Sequence, residues 1–499
     1  MAETIYICIV SATYTTFMSI KLVGREKEQE ILRKVLDTPE AEFVAVLGRR
    51  RVGKTFLVRS VYGALIRFDI TGLQNATTKK QLKNFAVHLR SAFGEISPKE
   101  TPEDWLDAFQ FLTECLDKTL DPAVKSVVFL DELPWLAGRK SGFLDGLSYF
   151  WNSWAVKKNV VVVVCGSAAS WMIRHVVYNK GGLHNRITRR IHLMPFNLYE
   201  TDAYLRSRNV ALNPFQVVQL YMAMGGIPHY LKEVDGSKSA IQNIEQICFS
   251  GTGLLHDEFL KLYPSLFDDA THHIEIIKAL GGKWKGLTRQ EIIDATGLPD
   301  GGNFSRYLEE LVHSGFISAF NTFGKKQKDA LYRLTDEYSL FYLHFIQPLH
   351  QNTYERDTWQ NMSQTSHFKS WSGYAFENIC LKHIEQIKKA LGISGIFSTS
   401  GSYYHKGNSD QKGVQIDLLI DRKDSVINLF EIKFSAEPYT LTQSYAHDLL
   451  QKIASFKALT GTRKQVFLNM LTTQGLQPNT HSIGVVHAAF SLDVLFEKA

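Results

Sequence analysis

The 499-residue chain is predicted to be an α/β protein of several domains. Three observations carry this. In the first third, short apolar runs end in glycine or acidic residues, the pattern of buried parallel strands. The middle alternates amphipathic helical segments with a short hairpin. The last quarter holds two alternating strands joined by a charged turn. At about 150 residues per domain, this length corresponds to roughly three domains. Lys and Arg number 56 and Asp and Glu 50, a formal charge of +6. That mild excess permits a nucleic-acid partner without arguing for one. Hydrophobic residues at 44% and charged residues at 21% exclude a disordered, collagenous or coiled-coil chain.

Cys8, Cys115, Cys165, Cys248 and Cys380 are scattered and form no C-x-x-C. Neither a disulfide framework nor a zinc ribbon is expected, which fits a reducing, cytoplasmic setting. No apolar run approaches the roughly 18 residues of a membrane span. Ile5–Met18 lacks the basic flank of a signal peptide. Residues 1–21 read as an N-terminal extension, with Met18 an alternative start.

Phe43–Leu47 is expected as a buried strand. It runs into Gly48-Arg49-Arg50-Arg51-Val52-Gly53-Lys54-Thr55, which fits G-x-x-x-x-G-K-T. Such a loop turns its backbone N–H groups towards phosphate oxygens, and the following helix adds its N-terminal dipole. Lys54 is expected to reach the β- and γ-phosphates of ATP, and the Thr55 hydroxyl to ligate Mg²⁺.

A second strand, Ser126–Leu130, ends in Asp131-Glu132. Buried carboxylates need a reason. Asp131 is placed as the second contributor to the Mg²⁺ shell and Glu132 as the general base on the attacking water. A third strand, Val160–Cys165, is apolar on both faces and therefore central. It leads to Gly166-Ser167. Ser167 either orients the water beside the γ-phosphate or caps a helix over Ala168–Arg174.

Leu22-Val23-Gly24-Arg25-Glu26, the two Walker motifs and Gly166-Ser167 resemble the AAA+/STAND-type P-loop ATPases of bacteria and archaea. Gly225-Gly226-Ile227-Pro228 resembles the G-x-P motif of their helical lid. The resemblance implies adenine near Val23–Arg25. It also implies a five-stranded core in which the Walker B strand is not adjacent to the Walker A strand. Similar ATPases keep an arginine at the Arg186 position, just ahead of an expected strand Ile191–Met194. Arg186 is the candidate arginine finger, with Arg189 and Arg190 behind it. A finger comes from a neighbouring subunit and would require a homo-oligomer. A solvated basic loop or a DNA-phosphate patch is the alternative for these arginines.

The core is assigned to residues 22–195 and the lid, with several short amphipathic helices, to 196–270. From 271 to 349 the pattern becomes Ile274–Leu280, a capped segment with Thr288 three residues before Glu291, then Asn303–Ser314 and a hairpin of Phe316–Phe320 and Leu331–Leu334. Helix-turn-helix plus hairpin is a winged helix. Arg306 would start its recognition helix, and Lys325, Lys326 and Lys328 would occupy the wing. His272-His273 reads as surface, Tyr338–Phe345 as a core helix, Tyr403-Tyr404-His405 as a loop and 350–370 as a linker.

In the last segment, 371–499, Val414–Asp421 and Val426–Phe434 flank the turn Arg-Lys-Asp-Ser. A symmetric hairpin about residue 424 sets Asp417 opposite Glu431, and places Lys433 on the same face as Glu431. Opposed carboxylates repel unless a cation such as Mg²⁺ lies between them. Asp417 followed by Glu431-x-Lys433 resembles the PD-(D/E)XK nucleases. Glu377, at the start of a helix expected to run to Lys389, looks like the additional carboxylate of that fold. There is no Pro before Asp417, and Gln415 stands where a Glu is usual. The resemblance implies a restriction-endonuclease-like domain with Glu377, Asp417 and Glu431 on metal and Lys433 as a catalytic group. DNA is the expected partner, with no membrane. The competing expectation is a nucleotide-controlled binding or signalling switch with an inert nuclease-like domain.

Overall fold

The computed structural model describes residues 22–138, 140–178, 181–267, 269–320, 323, 330–349, 358–407 and 413–498. The expected extension 1–21, part of the expected linker, and Lys325, Lys326 and Lys328 lie outside the described residues. The chain divides into two compact units. The first takes the residues up to Leu47, Gly53–Gly166 and Arg174–Leu193; the second takes Gly48–Val52, Ser167–Ile173 and everything from Met194.

The first unit is built on a parallel sheet of β1 (Glu42–Leu47), β2 (Ile66–Thr71), β3 (Ser126–Asp131), β4 (Val160–Gly166) and β5 (Arg189–His192), in the order β2-β3-β4-β1-β5. Strands β1, β3 and β4 are buried at every residue. Their unbroken apolar runs suit strands covered on both faces. Since β4 lies between β1 and β3, the implied separation of the two Walker strands holds. The edge strands follow a looser pattern: β2 alternates, with Arg67 and Asp69 less buried than Phe68 and Ile70. In β5 only Ile191 is buried. This strand begins two residues before the expected Ile191, so Arg189 and Arg190 lie within it rather than ahead of it. An edge strand pairs on one side only, so its other positions tolerate charge.

Helices Glu26–Lys34, Lys54–Tyr62, Thr78–Phe93, Trp105–Thr119 and Phe143–Ser153 accompany the sheet. Asp104 caps the fourth, accepting from the Leu106 N–H at 2.8 Å and the Asp107 N–H at 3.0 Å. Trp105 meets Phe143 edge-on at 4.6 Å, and Phe109 stacks on Phe150 at 5.2 Å. These contacts give the unit an aromatic core.

In the second unit the stretch expected as a lid is helical, with Leu198–Ser207 and Pro214–Met224 the longest elements. Asn197 and Glu200 form a capping box at its start. Next come helices Thr271–Gly281, Arg289–Thr296 and Gly302–His313. They accompany an antiparallel sheet of β6 (Leu287–Thr288), β7 (Ile317–Phe320) and β8 (Leu331–Leu334), in the order β6-β8-β7. The Thr288–Glu291 capping box forms as expected. His273 departs from expectation. It is 2% exposed, its Nε2 lies 2.8 Å from Glu310, and its ring stacks on Phe267 at 3.9 Å. Helical spacing puts it on the same buried face as Ile276, Ile277 and Leu280.

The C-terminal sheet contains β9 (Ser398–His405), β10 (Val414–Arg422), β11 (Val426–Lys433), β13 (Gln465–Thr472) and β15 (Ala488–Phe490), in the order β15-β13-β11-β10-β9. The two-residue strands β12 (Tyr439–Thr440) and β14 (Leu476–Gln477) pair separately. Parallel pairing of β11 with β13 needs a crossover, which helix Gln443–Thr460 supplies. Tyr403-Tyr404-His405, expected in a loop hairpin, forms the end of β9 and pairs antiparallel with Val414–Ile416. The expected linker contains helix Thr358–Met362, where the buried Trp359 stacks on Phe249 at 5.6 Å. The expected core helix is Glu337–Phe341, continued by a π-turn over Tyr342–Ile346.

Helix Ser366–Lys382 stops at His383, short of the expected Lys389, and Ile384–Ala390 resumes. His383 Nδ1 lies 2.7 Å from the Ile379 carbonyl, and its Nε2 accepts the Leu198 N–H at 2.9 Å. An accepting Nε2 requires a neutral ring. Burial pushes its pKa from 6.5 down to about 4. Between those values the unfolded chain binds a proton that the folded chain does not. His383 should therefore remove up to about 3 kcal/mol of stability as pH falls from about 6.5 to 4. Urea unfolding at pH 7 and pH 4.5 should show a larger loss for wild type than for His383→Gln.

Candidate functional site

The loop between β1 and helix Lys54–Tyr62 is the G-x-x-x-x-G-K-T segment. Gly53 sits at the helix N-cap with φ 94°, and added Cβ atoms there would meet nothing within 4 Å. Glycine is required by the backbone angle, not by space. Lys54 is 5% exposed.

Thr55 Oγ1 donates to Asp131 Oδ2 at 2.7 Å, joining this helix to the end of β3. Asp131 Oδ1 accepts the Glu132 N–H at 3.0 Å. Burial pushes the Asp131 carboxyl above its usual range, against the pull of the Thr55 hydroxyl. Glu132 adopts φ 48°, a left-handed conformation uncommon for a side-chain-bearing residue. The start of helix Lys54–Tyr62 and the end of β3 thus meet at the carboxyl edge of the sheet.

Ser167 is buried at the end of β4. The next helix, Ala169–Met172, has Ala168 at its N-cap. Arg186 is exposed beyond that segment, and its N–H donates to the Leu183 carbonyl at 3.1 Å. Between Asp145 and Glu200 the sequence holds no Asp or Glu, while Arg174, Arg186, Arg189 and Arg190 all fall there. A charge count over the stretch finds this imbalance.

Two loop arginines have partners that spacing cannot foresee. Arg49 is buried, ion-paired with Asp336, and 4.6 Å from the Phe316 ring centroid. Burial opposes its charge, but Asp336 outweighs that and holds the guanidinium protonated. Arg51 pairs with Glu258. Asp336 also caps helix Glu337–Phe341 by accepting the Ser339 N–H at 2.9 Å. Its sequence signal is that of an ordinary N-cap.

In the C-terminal sheet, β10 and β11 pair from Leu418↔Phe430 to Asp421↔Ile427, a register centred on residue 424 as expected. Asp417 Oδ2 accepts the Ile432 N–H at 3.0 Å. Glu431 Oε1 accepts from Lys433 Nζ at 2.8 Å and from the Tyr445 hydroxyl. Its Oε2 accepts from Lys452 Nζ at 2.6 Å. Burial raises the Glu431 pKa, but the two lysines outweigh it and bring the carboxyl below its usual range. Burial and the Glu431 charge push Asp417 up to about 6; burial and the Asp417 charge push Glu377 up to about 8.

Among the described residues no three His, Cys, Asp or Glu side chains are grouped to hold a metal ion. Glu377, Asp417 and Glu431 nonetheless lie close enough for their charges to act on one another. At Glu431 the repulsion with Asp417 is relieved by ammonium groups. The carboxylates fell in the sequence pattern. Tyr445 and Lys452 did not, because they come from the crossover helix.

The Thr55–Asp131 bond suggests a stability test. Thr55→Val deletes the donor and leaves Asp131 buried without it. Nucleotide-free urea unfolding should show a loss of about 1–3 kcal/mol.

Residues 22–234 match the family model of an ATPase domain predominantly from Archaea. Residues 342–447 match the model described as Archaea bacterial proteins of unknown function. An uncharacterized protein of Methanocaldococcus jannaschii is 22% identical over 429 residues, covering 83% of this chain and 87% of its own length. A Walker-type ATPase of Pyrococcus abyssi aligns with TM-score 0.49 and 17% identity, over 64% of this chain and 96% of that one. The ORC2 protein of Aeropyrum pernix aligns with TM-score 0.41 and 17% identity, over 67% and 96%. The chain carries an archaeal-type P-loop ATPase domain, followed by a C-terminal domain of the second family.

Proposed function

We propose that the protein binds and hydrolyses ATP, and that its nucleotide state controls a winged-helix and nuclease-like module acting on DNA. The carrying observation is the 2.7 Å contact between Thr55 and Asp131, with Lys54 and Glu132 next to them in sequence. In this reading Gly48, Arg49, Arg50, Arg51, Val52 and Gly53 form the phosphate loop, and Lys54 neutralises the β- and γ-phosphates. A hydroxyl and a carboxylate so close are hard oxygen donors, which suit Mg²⁺ completed by phosphate and water. When bound, Mg²⁺ would neutralise charge on the phosphates. Glu132 accepts the proton of the attacking water, which Ser167 orients. Arg186 offers its guanidinium to a neighbouring copy. The ion pairs of Arg49 with Asp336 and of Arg51 with Glu258 tie the loop's first half to the C-terminal elements. A loop movement on hydrolysis would be felt at both carboxylates.

The winged-helix assignment for 271–349 is supported by three helices with the β6-β8-β7 sheet. The nuclease-like assignment for 371–499 is supported by Asp417, Glu431 and Lys433 on adjacent strands. The lysine contacts at Glu431 favour a second reading, in which this domain binds DNA or signals without cleaving it. Among the described residues, Cys115, Cys165, Cys248 and Cys380 are buried and free, which fits a cytoplasmic setting.

Lys54→Ala should abolish release of inorganic phosphate from ATP; persistent turnover would show that the P-loop is not the hydrolytic site. Added DNA should raise the wild-type rate if the partner is DNA. In a plasmid assay with Mn²⁺ and ATP, wild type should nick and Lys433→Ala should not. Absence of nicking by wild type selects the second reading.

A further inference from the structure

We propose that Lys452 is an internal counter-ion that excludes divalent cations from the Asp417–Glu431 carboxylate pair, so that metal can enter only when Lys452 withdraws. The inference rests on the nuclease-like reading of the C-terminal domain and adds to it a positioning residue outside the two-strand motif. Lys452 lies on the helix Gln443–Thr460, the crossover between β11 and β13. Its Nζ is 2.6 Å from Glu431 Oε2, while Lys433 Nζ is 2.8 Å from Glu431 Oε1 and the Tyr445 hydroxyl donates to that same oxygen.

Both oxygens of Glu431 are thus engaged from two directions, by its own strand and by the crossover helix. The neighbouring Asp417 gives one oxygen to the Ile432 N–H at 3.0 Å. The pair of carboxylates is matched by a pair of ammonium groups. A site balanced in this way has no charge requirement for a divalent ion, and a dication placed there would be repelled by two nearby ammoniums.

The two lysines are not equivalent. Lys433 sits two residues from Glu431 on β11, so its backbone cannot move independently of the carboxylate. Lys452 lies 21 residues away on a separate helix, at 25% side-chain exposure, and its contact breaks if the side chain turns to solvent or the helix shifts. It is the removable partner. Tyr445, seven positions earlier on the same helix, would be displaced with it by a helix shift.

The test is Mn²⁺ titration of the full-length protein, reading free Mn²⁺ by electron paramagnetic resonance. Glu431→Gln in each background identifies the binding due to this site and separates it from the P-loop. Lys452→Met should tighten Glu431-dependent Mn²⁺ binding by about tenfold or more, since it removes a like charge beside the ion. Lys452→Arg, which keeps the charge, should leave it at the wild-type value. If Lys452→Met is poorly folded by circular dichroism, Lys452→Gln replaces it. Unchanged or weaker Glu431-dependent binding in the neutral variant, with clear binding in wild type, overturns the counter-ion role and leaves the metal-dependent nuclease reading intact. No Glu431-dependent binding in any variant overturns both.

Discussion

The proposed nucleotide site depends on one constraint, the position of β4 between β1 and β3. Two strands that are not neighbours leave a gap at the carboxyl edge of a parallel sheet. Loops leaving its two sides diverge from a shared crevice, which is where ligands of such sheets settle. Here the crevice is closed by the hydrogen bond from Thr55 to Asp131. That bond spans the crevice because the register sets Leu47 beside Gly166 and Leu130 beside Val164, which brings the strand ends near one level. A slip in either pairing would separate hydroxyl and carboxylate.

Charge is handled in three ways along the chain. At the sheet edge the Asp131 carboxylate is held by the Thr55 hydroxyl, and burial makes its charge unfavourable. In the proposed reading, a cation would offset that charge. At Glu431 compensation is already internal, through Lys433 and Lys452. The same element types, strand ends bearing carboxylates, therefore have opposite electrostatic needs. Arg49 and Asp336 show a third arrangement. Both are buried, and each would be costly without the other, so removal of one partner should be more damaging than the pair is stabilising.

Much of the fold was legible where the signal was local. The apolar runs of β1, β3 and β4 announce strands covered on both faces, and Thr288 with Glu291 announces a helix start. The hairpin centre at residue 424 followed from arithmetic on two positions. Failures came where distant partners decide. His273 looked like half of an exposed pair until Phe267 and Glu310 enclosed it. Trp359 lay in a polar stretch that read as a linker, yet its ring finds Phe249 and Phe341. Arg189 and Arg190 read as loop because an edge strand needs only one apolar residue in four to hold its place.

By itself the sequence determined the phosphate loop, the acidic strand end and the register of the C-terminal hairpin. Each is set by residues close along the chain, where backbone geometry leaves few choices. Only the tertiary structure decided what those groups face. It set the loop arginines against Asp336 and Glu258. It also placed Lys452 and Tyr445, carried in by a crossover helix, on Glu431. Electrostatic energy depends on distance in space, and pairs 21 or 287 residues apart leave no periodic trace in the sequence.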